Sequence, residues 1–344
     1  MSDYSTLAET LIRQTRTEES KLPLRCEECR SLFYLRPQPT RRVCLFFHGF
    51  TAGPYQFIPI AESFVRLGYN VVVPLMPGHG CAGEWGRTQP PPLPTDREVY
   101  QKFALKWLDH ARSLGQQVVI GGLSAGGTIA AWLAQERSQD IYRAILFAPY
   151  LSSSSRVADM FTRMLGSYFE WELLPSQKVL GYTGFALPAL RVFLEMGGEV
   201  LRRAERQPMP PLFTISSESD IAVDNYDHQT LAKLARQRQP ISWYHLFSHV
   251  LDIPHTMMTE ADGNRYQNLL ITMARAFAES NLTWAEVEEI GFRMAQGRTF
   301  NDVVAELGWA SKASRDMPAM MTMVDKRAIV IARNPNYVRG TRRL

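Results

Sequence analysis

The sequence predicts an α/β domain, a mostly parallel sheet covered by helices on both faces. Three observations lead there. Short apolar runs recur along the chain, at Val43–Phe47, Val71–Val73, Val118–Ile120, Ala144–Ala148, Pro211–Ser216 and Ile241–Phe247. These are the continuous apolar strands of a sheet buried on both sides. Helical stretches separate them, as crossover connections between parallel strands require. Several runs end in glycine-rich turns, the usual passage from strand to helix in such folds.

The elements follow in order. Residues 1–22 read as an amphipathic helix packed outside the core, and Ser31–Leu35 as a short early strand. Pro54 to Leu67 is a helix stopped by Gly68. A strand at 69–73 follows, then a proline-rich loop at 83–95 that cannot be helical. Tyr100–Leu114 is a helix with Phe103, Leu105, Trp107, Leu108 and Ala111 on or near an apolar side. Strand 117–121 leads into a glycine-rich turn and the helix-forming run Thr128–Ala134. About 60 residues separate strands 144–148 and 211–216, more than one crossover helix needs. Within them, 156–206 is rich in Met, Phe, Tyr, Trp and Leu. Phe161, Met164, Tyr168 and Trp171 are spaced to share one helix face, with Phe169 beside them. The last core helix starts near Asn264. Beyond it, Thr283 and Glu286 form a candidate capping box, with Trp284, Val287, Ile290 and Met294 at helical spacing behind it, and Phe300–Leu307 is a further helix. From Lys326 the chain carries six basic residues and no acid, the pattern of a solvated tail or an oligomer contact.

The chemistry-bearing motif is Gly122-Leu123-Ser124-Ala125-Gly126, a G-x-S-x-G set between the strand 117–121 and a helix. That context lifts a serine hydroxyl clear of the sheet on a strained turn. Upstream, His48-Gly49-Phe50 closes one strand and Pro77-Gly78-His79-Gly80 follows the next. In this order the three motifs resemble the α/β-hydrolase superfamily, and more narrowly its esterase and monoacylglycerol-lipase-like branch, the serine aminopeptidase S33 type. The resemblance covers about residues 30–280. It implies an α/β-hydrolase core at 31–150 and 208–280, a helical cap inserted at 151–207, an N-terminal helical extension at 1–30 and a C-terminal extension at 281–344.

It also implies a division of chemical labour. A serine hydroxyl is a poor nucleophile near neutral pH, so Ser124 needs a histidine base, an acid to orient that base, and donors for the oxyanion. The family's chain order is Ser, acid, His. Glu218, Asp220 and Asp224 follow the strand at 211–216, and Asp220 matches the family position. Two histidines follow it. His255 is favoured because Pro254-His255-Thr256-Met257-Met258 precedes the last helix as in relatives. His249, directly after the last strand, is the alternative. The oxyanion donors would be the backbone N–H groups of Phe50 and Ala125. The resemblance gives His48 and His79 supporting roles beneath the site. His110, His228 and His245 read as structural or exposed. A carboxylic ester hydrolase acting on small or lipid-like acyl esters is expected. A peptidase, thioesterase or acyltransferase could use the same triad, and a binding or regulatory protein could use the same fold.

Composition narrows the classes. Of 344 residues, 38 are Lys or Arg and 34 Asp or Glu, a net charge of +4 that implies no nucleic-acid partner. The first residues lack the basic and apolar regions of a signal peptide, and no apolar run is long enough to span a membrane. The expectation is a cytoplasmic protein without metal or cofactor, able to self-associate through its C-terminal extension. Cys26-Glu27-Glu28-Cys29 is a lone C-x-x-C with no second ligand pair for zinc, so it reads as two reduced thiols at that spacing by chance.

Overall fold

The computed structural model describes residues 3–153, 168–170 and 180–334. The core is a seven-stranded sheet built from β1 (Leu32–Tyr34), β2 (Thr40–Phe47), β3 (Asn70–Val73), β4 (Gly115–Leu123), β5 (Arg143–Phe147), β8 (Leu212–Ser217) and β9 (Trp243–Phe247). Its order is β1-β3-β2-β4-β5-β8-β9. Only β1 runs antiparallel to its neighbour; the other pairings are parallel. The strand sequences predicted this. Asn70–Val73 and Arg143–Phe147 are buried at every position, as double-sided burial requires.

Helices Arg97–Leu114, Ala125–Glu136, Leu187–Ala204 and Asn225–Arg238 pack in series along one face. Helices Ile58–Arg66 and Gln267–Glu279 pack together on the other. From β2 the chain steps outward to β3 on one side and then to β4 on the other. The crevice at the carboxyl ends of β2 and β4 is therefore a topological switch point, where open α/β sheets bind ligands.

The segment 151–207 departs from expectation where it is described. Tyr168 lies in β6 (Tyr168–Glu170), which pairs antiparallel with β7 (Gly184–Ala186). It is therefore not on a helix face, because alternating residues in a paired strand point to opposite sides. Phe161, Met164 and Trp171 lie outside the described residues. Helix Leu187–Ala204 packs on Ala125–Glu136 as the crossover into β8. The core strands and the helices the sequence marked fall within a few residues of expectation. The helix expected at Tyr100 starts at Arg97, with Asp96 accepting from the Glu98 N–H at 2.9 Å as its N-cap, and the helix expected at Asn264 starts at Gln267.

The segment after Ser280 docks on the core. The Thr283–Glu286 capping box forms as expected, and Val287 and Ile290 are buried. Arg275 on the last core helix pairs with Asp316 at 2.9 Å, and Met317, Met320 and Met321 are buried. Trp243 of β9 donates its indole N–H to Leu282 O at 2.9 Å. Fully buried Arg143 donates to the carbonyl of Phe277 in the last turn of that helix, and to Asn281 Oδ1 at 2.8 Å. The basic stretch is not a free tail as far as Asn334. Helix Lys326–Ala332 packs on helix Trp284–Ala295, and Arg333 pairs with Glu289 at 2.5 Å. Charge patterning alone does not show such partners, because they lie about forty residues away in sequence. Truncation after Ser280 is expected to lower Tm by at least about 5 °C, since it uncovers buried apolar side chains, while kcat on a soluble short-chain ester stays within about threefold. Thermal unfolding and ester kinetics on the truncated chain check both parts.

Candidate active site

The glycines of the elbow are dictated by close approach. A Cβ on Gly122 would lie 2.3 Å from the carbonyl of Gly126, and one on Gly126 would lie 2.2 Å from Phe47 O. No larger residue fits either position without moving backbone. Between them Ser124 adopts φ 54° and ψ −118°, a conformation that costs a non-glycine residue energy. Its N–H donates to Phe147 O at 2.9 Å, and its carbonyl accepts from Thr128 N at 2.9 Å and Tyr150 N at 3.1 Å. The strain is thus held by β5 and by the first turn of the following helix.

Three loops at the carboxyl ends of the strands converge on this serine. His255 Nε2 lies 2.8 Å from Ser124 Oγ, and His255 Nδ1 lies 2.7 Å from Asp220 Oδ2. The Asp220 side chain is fully buried and that of His255 is 22% exposed. Burial pushes the Asp220 pKa upward, but the charge and hydrogen bond of His255 and the Ala222 N–H, 2.8 Å from Oδ1, outweigh it and hold the carboxyl below its ordinary value. An ionised Asp220 accepts from Nδ1–H, which leaves Nε2 free to accept from the serine hydroxyl.

The alternatives lie elsewhere. His249 is 75% exposed at its side chain and pairs with Glu218 at 3.0 Å. Asp224 caps helix Asn225–Arg238, accepting from Tyr226 N at 2.8 Å. His228 lies inside that helix rather than before it, fully buried. Its Nε2 donates to Pro149 O at 2.7 Å, so its Nδ1 accepts from the Ser216 hydroxyl, also at 2.7 Å.

Ala125 directly follows the serine in the chain, and Phe50 follows β2. Ala125 opens the elbow helix, so its N–H is one of the donors a helix start leaves unused. Phe50 lies in the turn after β2, where Gln56 Oε1 accepts from Gly49 N at 2.9 Å and Thr51 takes φ 63°. Buried His48 and His79 stand edge to face below this turn, with ring centroids 5.0 Å apart. Met76 N donates to His48 Nε2 at 3.0 Å, tying the second glycine turn to the first.

Several supporting residues carry no sequence signal of their own. The N–H of Tyr182 donates to Thr51 O at 2.7 Å. Its hydroxyl accepts from Cys81 N at 2.9 Å and donates to Gly78 O at 2.7 Å. Ser217 Oγ donates to Ile253 O at 2.7 Å, joining the Asp220 loop to the His255 loop. Buried Asn264 donates to Met257 O at 2.6 Å. Tyr182 acts on residues about a hundred positions away, and Gln56 on Gly49 from the next turn, where nothing in the residue type marks it. A cleft lined by Gln117, Gln139, Tyr142 and Met209 opens at the amino ends of the strands, away from Ser124.

Burial holds His79, His228 and His245 neutral, with pKa values lowered to about 4 from 6.5. The unfolded chain binds these protons more readily, so their stabilising effect is complete above pH 6.5 and is lost as pH falls towards 4. The unfolding free energy is expected to drop through that window, by on the order of 1 kcal/mol per histidine at pH 5.5, and the urea midpoint with it. Urea titrations between pH 7.5 and 5 check this, and His245→Phe should flatten the slope.

Comparison with known proteins agrees with this fold. A family model described as the alpha/beta hydrolase fold matches residues 43–176. A thermostable monoacylglycerol lipase from Bacillus sp. (strain H-257) is 25% identical over 188 residues, covering 52% of this chain and 70% of the relative. Among solved structures, one from a study of LipS and LipT, metagenome-derived lipolytic enzymes, aligns with a TM-score of 0.56 at 20% identity, over 72% of this chain and 96% of its own. A monoacylglycerol lipase from Paleococcus ferrophilus aligns at 0.53 and 16% identity, over 70% and 96%.

Proposed function

We propose that this chain, which has the α/β-hydrolase fold, hydrolyses carboxylic esters of lipid-like acyl groups through an acyl-enzyme on Ser124. One observation carries the reading: the unbroken relay from Asp220 Oδ2 to His255 to Ser124 Oγ, with both contacts under 3 Å. In the first step His255 Nε2 takes the hydroxyl proton as Ser124 Oγ attacks the ester carbonyl. Asp220 stabilises the imidazolium that forms. The backbone N–H groups of Phe50 and Ala125 would receive the oxyanion, each donor contributing about 3 kcal/mol to the transition state. His255 then protonates the departing alcohol, and water, activated by the same base, releases the acid.

The acyl preference rests on the wall beside the oxyanion turn. Phe50 packs edge-on against Phe185 at 5.0 Å and Phe193 at 5.4 Å between centroids. Leu93, Tyr182, Leu187 and Leu190 extend the same apolar cluster. An acyl chain gains about 0.8 kcal/mol per methylene buried against such a wall. The similarity to a monoacylglycerol lipase points to the same substrate class.

Labelling with a fluorophosphonate, followed by p-nitrophenyl esters of rising chain length, tests the reading. We expect stoichiometric labelling at Ser124 and a higher kcat/KM for hexanoyl and octanoyl esters than for acetyl. No labelling of folded protein would overturn the serine mechanism. Faster cleavage of acetyl esters or amides than of hexanoyl esters would overturn the lipid-like assignment.

A further inference from the structure

We propose that Cys26 and Cys29 are a reversible redox site, a dithiol that a small-molecule disulfide such as oxidised glutathione converts to an intramolecular disulfide. The inference goes beyond ester hydrolysis and does not depend on it. The two Sγ atoms lie 3.3 Å apart in the reduced protein. Closing to the roughly 2.05 Å of a disulfide takes little more than side-chain rotation. The thiols bracket a single 3-10 turn, Glu27–Cys29, in which Cys29 N donates to Cys26 O at 3.2 Å and Arg30 N to Glu27 O at 3.0 Å.

That turn is fastened on its amino-terminal side. Arg25 N donates to Gly80 O at 2.8 Å, Ala82 N donates to Pro23 O at 2.6 Å, and Leu24 bridges Cys81. The turn cannot drift, so the sulfurs stay neighbours. The spacing that reads as chance in the sequence is a preset pair in the fold.

The two thiols differ in a way that orders the exchange. Cys26 is partly exposed, whereas Cys29 is buried, and burial pushes its thiol up to about 12. The outer sulfur is therefore the one that meets an oxidant. The Cys26 thiolate attacks the small disulfide RSSR, forming Cys26–S–S–R and expelling one thiolate. Cys29 Sγ then attacks the Cys26 sulfur, giving up its proton, and expels the second. The protein loses two electrons and two protons, and RSSR becomes two RSH. The second step is intramolecular, which favours the ring over a lasting mixed disulfide.

The site sits behind both glycine turns of the catalytic crevice. The Cys29 backbone lies 3.7 Å from where a Cβ on Gly53 would stand, and its own Cβ lies 3.0 Å from that point at Gly80. Its Sγ faces Leu180 O at 4.0 Å, one residue before Gly181, whose carbonyl accepts from Arg25 at 2.5 Å.

The test uses the full-length folded protein in glutathione buffers, quenched by alkylation under denaturing conditions and digested with trypsin. Cleavage after Arg25 and Arg30 places both cysteines on one peptide. In oxidised glutathione this peptide should lose two hydrogens and resist alkylation, while Cys44 and Cys81 remain alkylatable. Excess dithiothreitol should reduce the oxidised fraction at least tenfold. Cys26→Ser, a change at a partly exposed position, should abolish the effect. A doubly alkylated 26–30 peptide from folded protein in oxidised glutathione would overturn the proposal. So would a glutathione adduct on Cys26 as the end product, or pairing with Cys81 instead.

Discussion

Ser124→Ala is expected to keep its fold and to lose esterase turnover by about 10⁴–10⁶-fold, the scale seen when a triad loses its nucleophile. The fold should survive because the strained backbone does not depend on the hydroxyl. Ser124 is held at φ 54° by main-chain hydrogen bonds to Phe147, Thr128 and Tyr150. An alanine already occupies a comparable conformation nearby, Ala148 at φ 40°. Only the 2.8 Å contact to His255 disappears. The variant should also lose all fluorophosphonate labelling, which separates a missing nucleophile from a distorted site. Turnover near wild type in this variant would end the acyl-enzyme reading. Turnover lost together with a lowered Tm would instead show that the hydroxyl holds the elbow.

Much of the fold was legible because the signals were local. Continuous apolar runs marked buried strands, and Gly68 and Thr283 marked helix ends through backbone conformation or side-chain capping. The elbow was legible for a steric reason. Two backbones pass within contact distance at Gly122 and Gly126, and only glycine allows that. What the sequence hid was long-range. Tyr168 carries apolar bulk that suits a helix face or a strand equally, and its pairing with Ala186 decided the matter. Tyr182 is an ordinary aromatic residue until the fold places it on Thr51 and Gly78. The basic residues after Lys326 look unpaired along the chain, yet Arg333 meets Glu289 on a helix that packs beside its own.

The base is where sequence left two histidines open, and it carries the second large effect. His255→Ala is expected to lower kcat by about 10⁴–10⁶-fold, because among the described residues no other base hydrogen-bonds Ser124 Oγ. His249→Ala is expected to stay within about twofold of wild type. The contrast follows from placement. Ser217 bonds to Ile253 and Asn264 bonds to Met257, so the segment around Pro254 is pinned on both sides and aims His255 into the crevice. His249 leaves β9 two residues past Phe247, in the short turn His249–Leu251, and its ring turns outward to Glu218. Its spacing from Asp220 suits a triad, but its direction does not. Asp220→Asn supplies an independent arm. It should preserve the geometry and still cost about 10⁴ in kcat, since an amide no longer selects the tautomer that leaves Nε2 free. Steady-state kinetics on one soluble ester distinguishes the three variants. Full activity in His255→Ala with loss in His249→Ala would require the loop to rearrange on binding substrate.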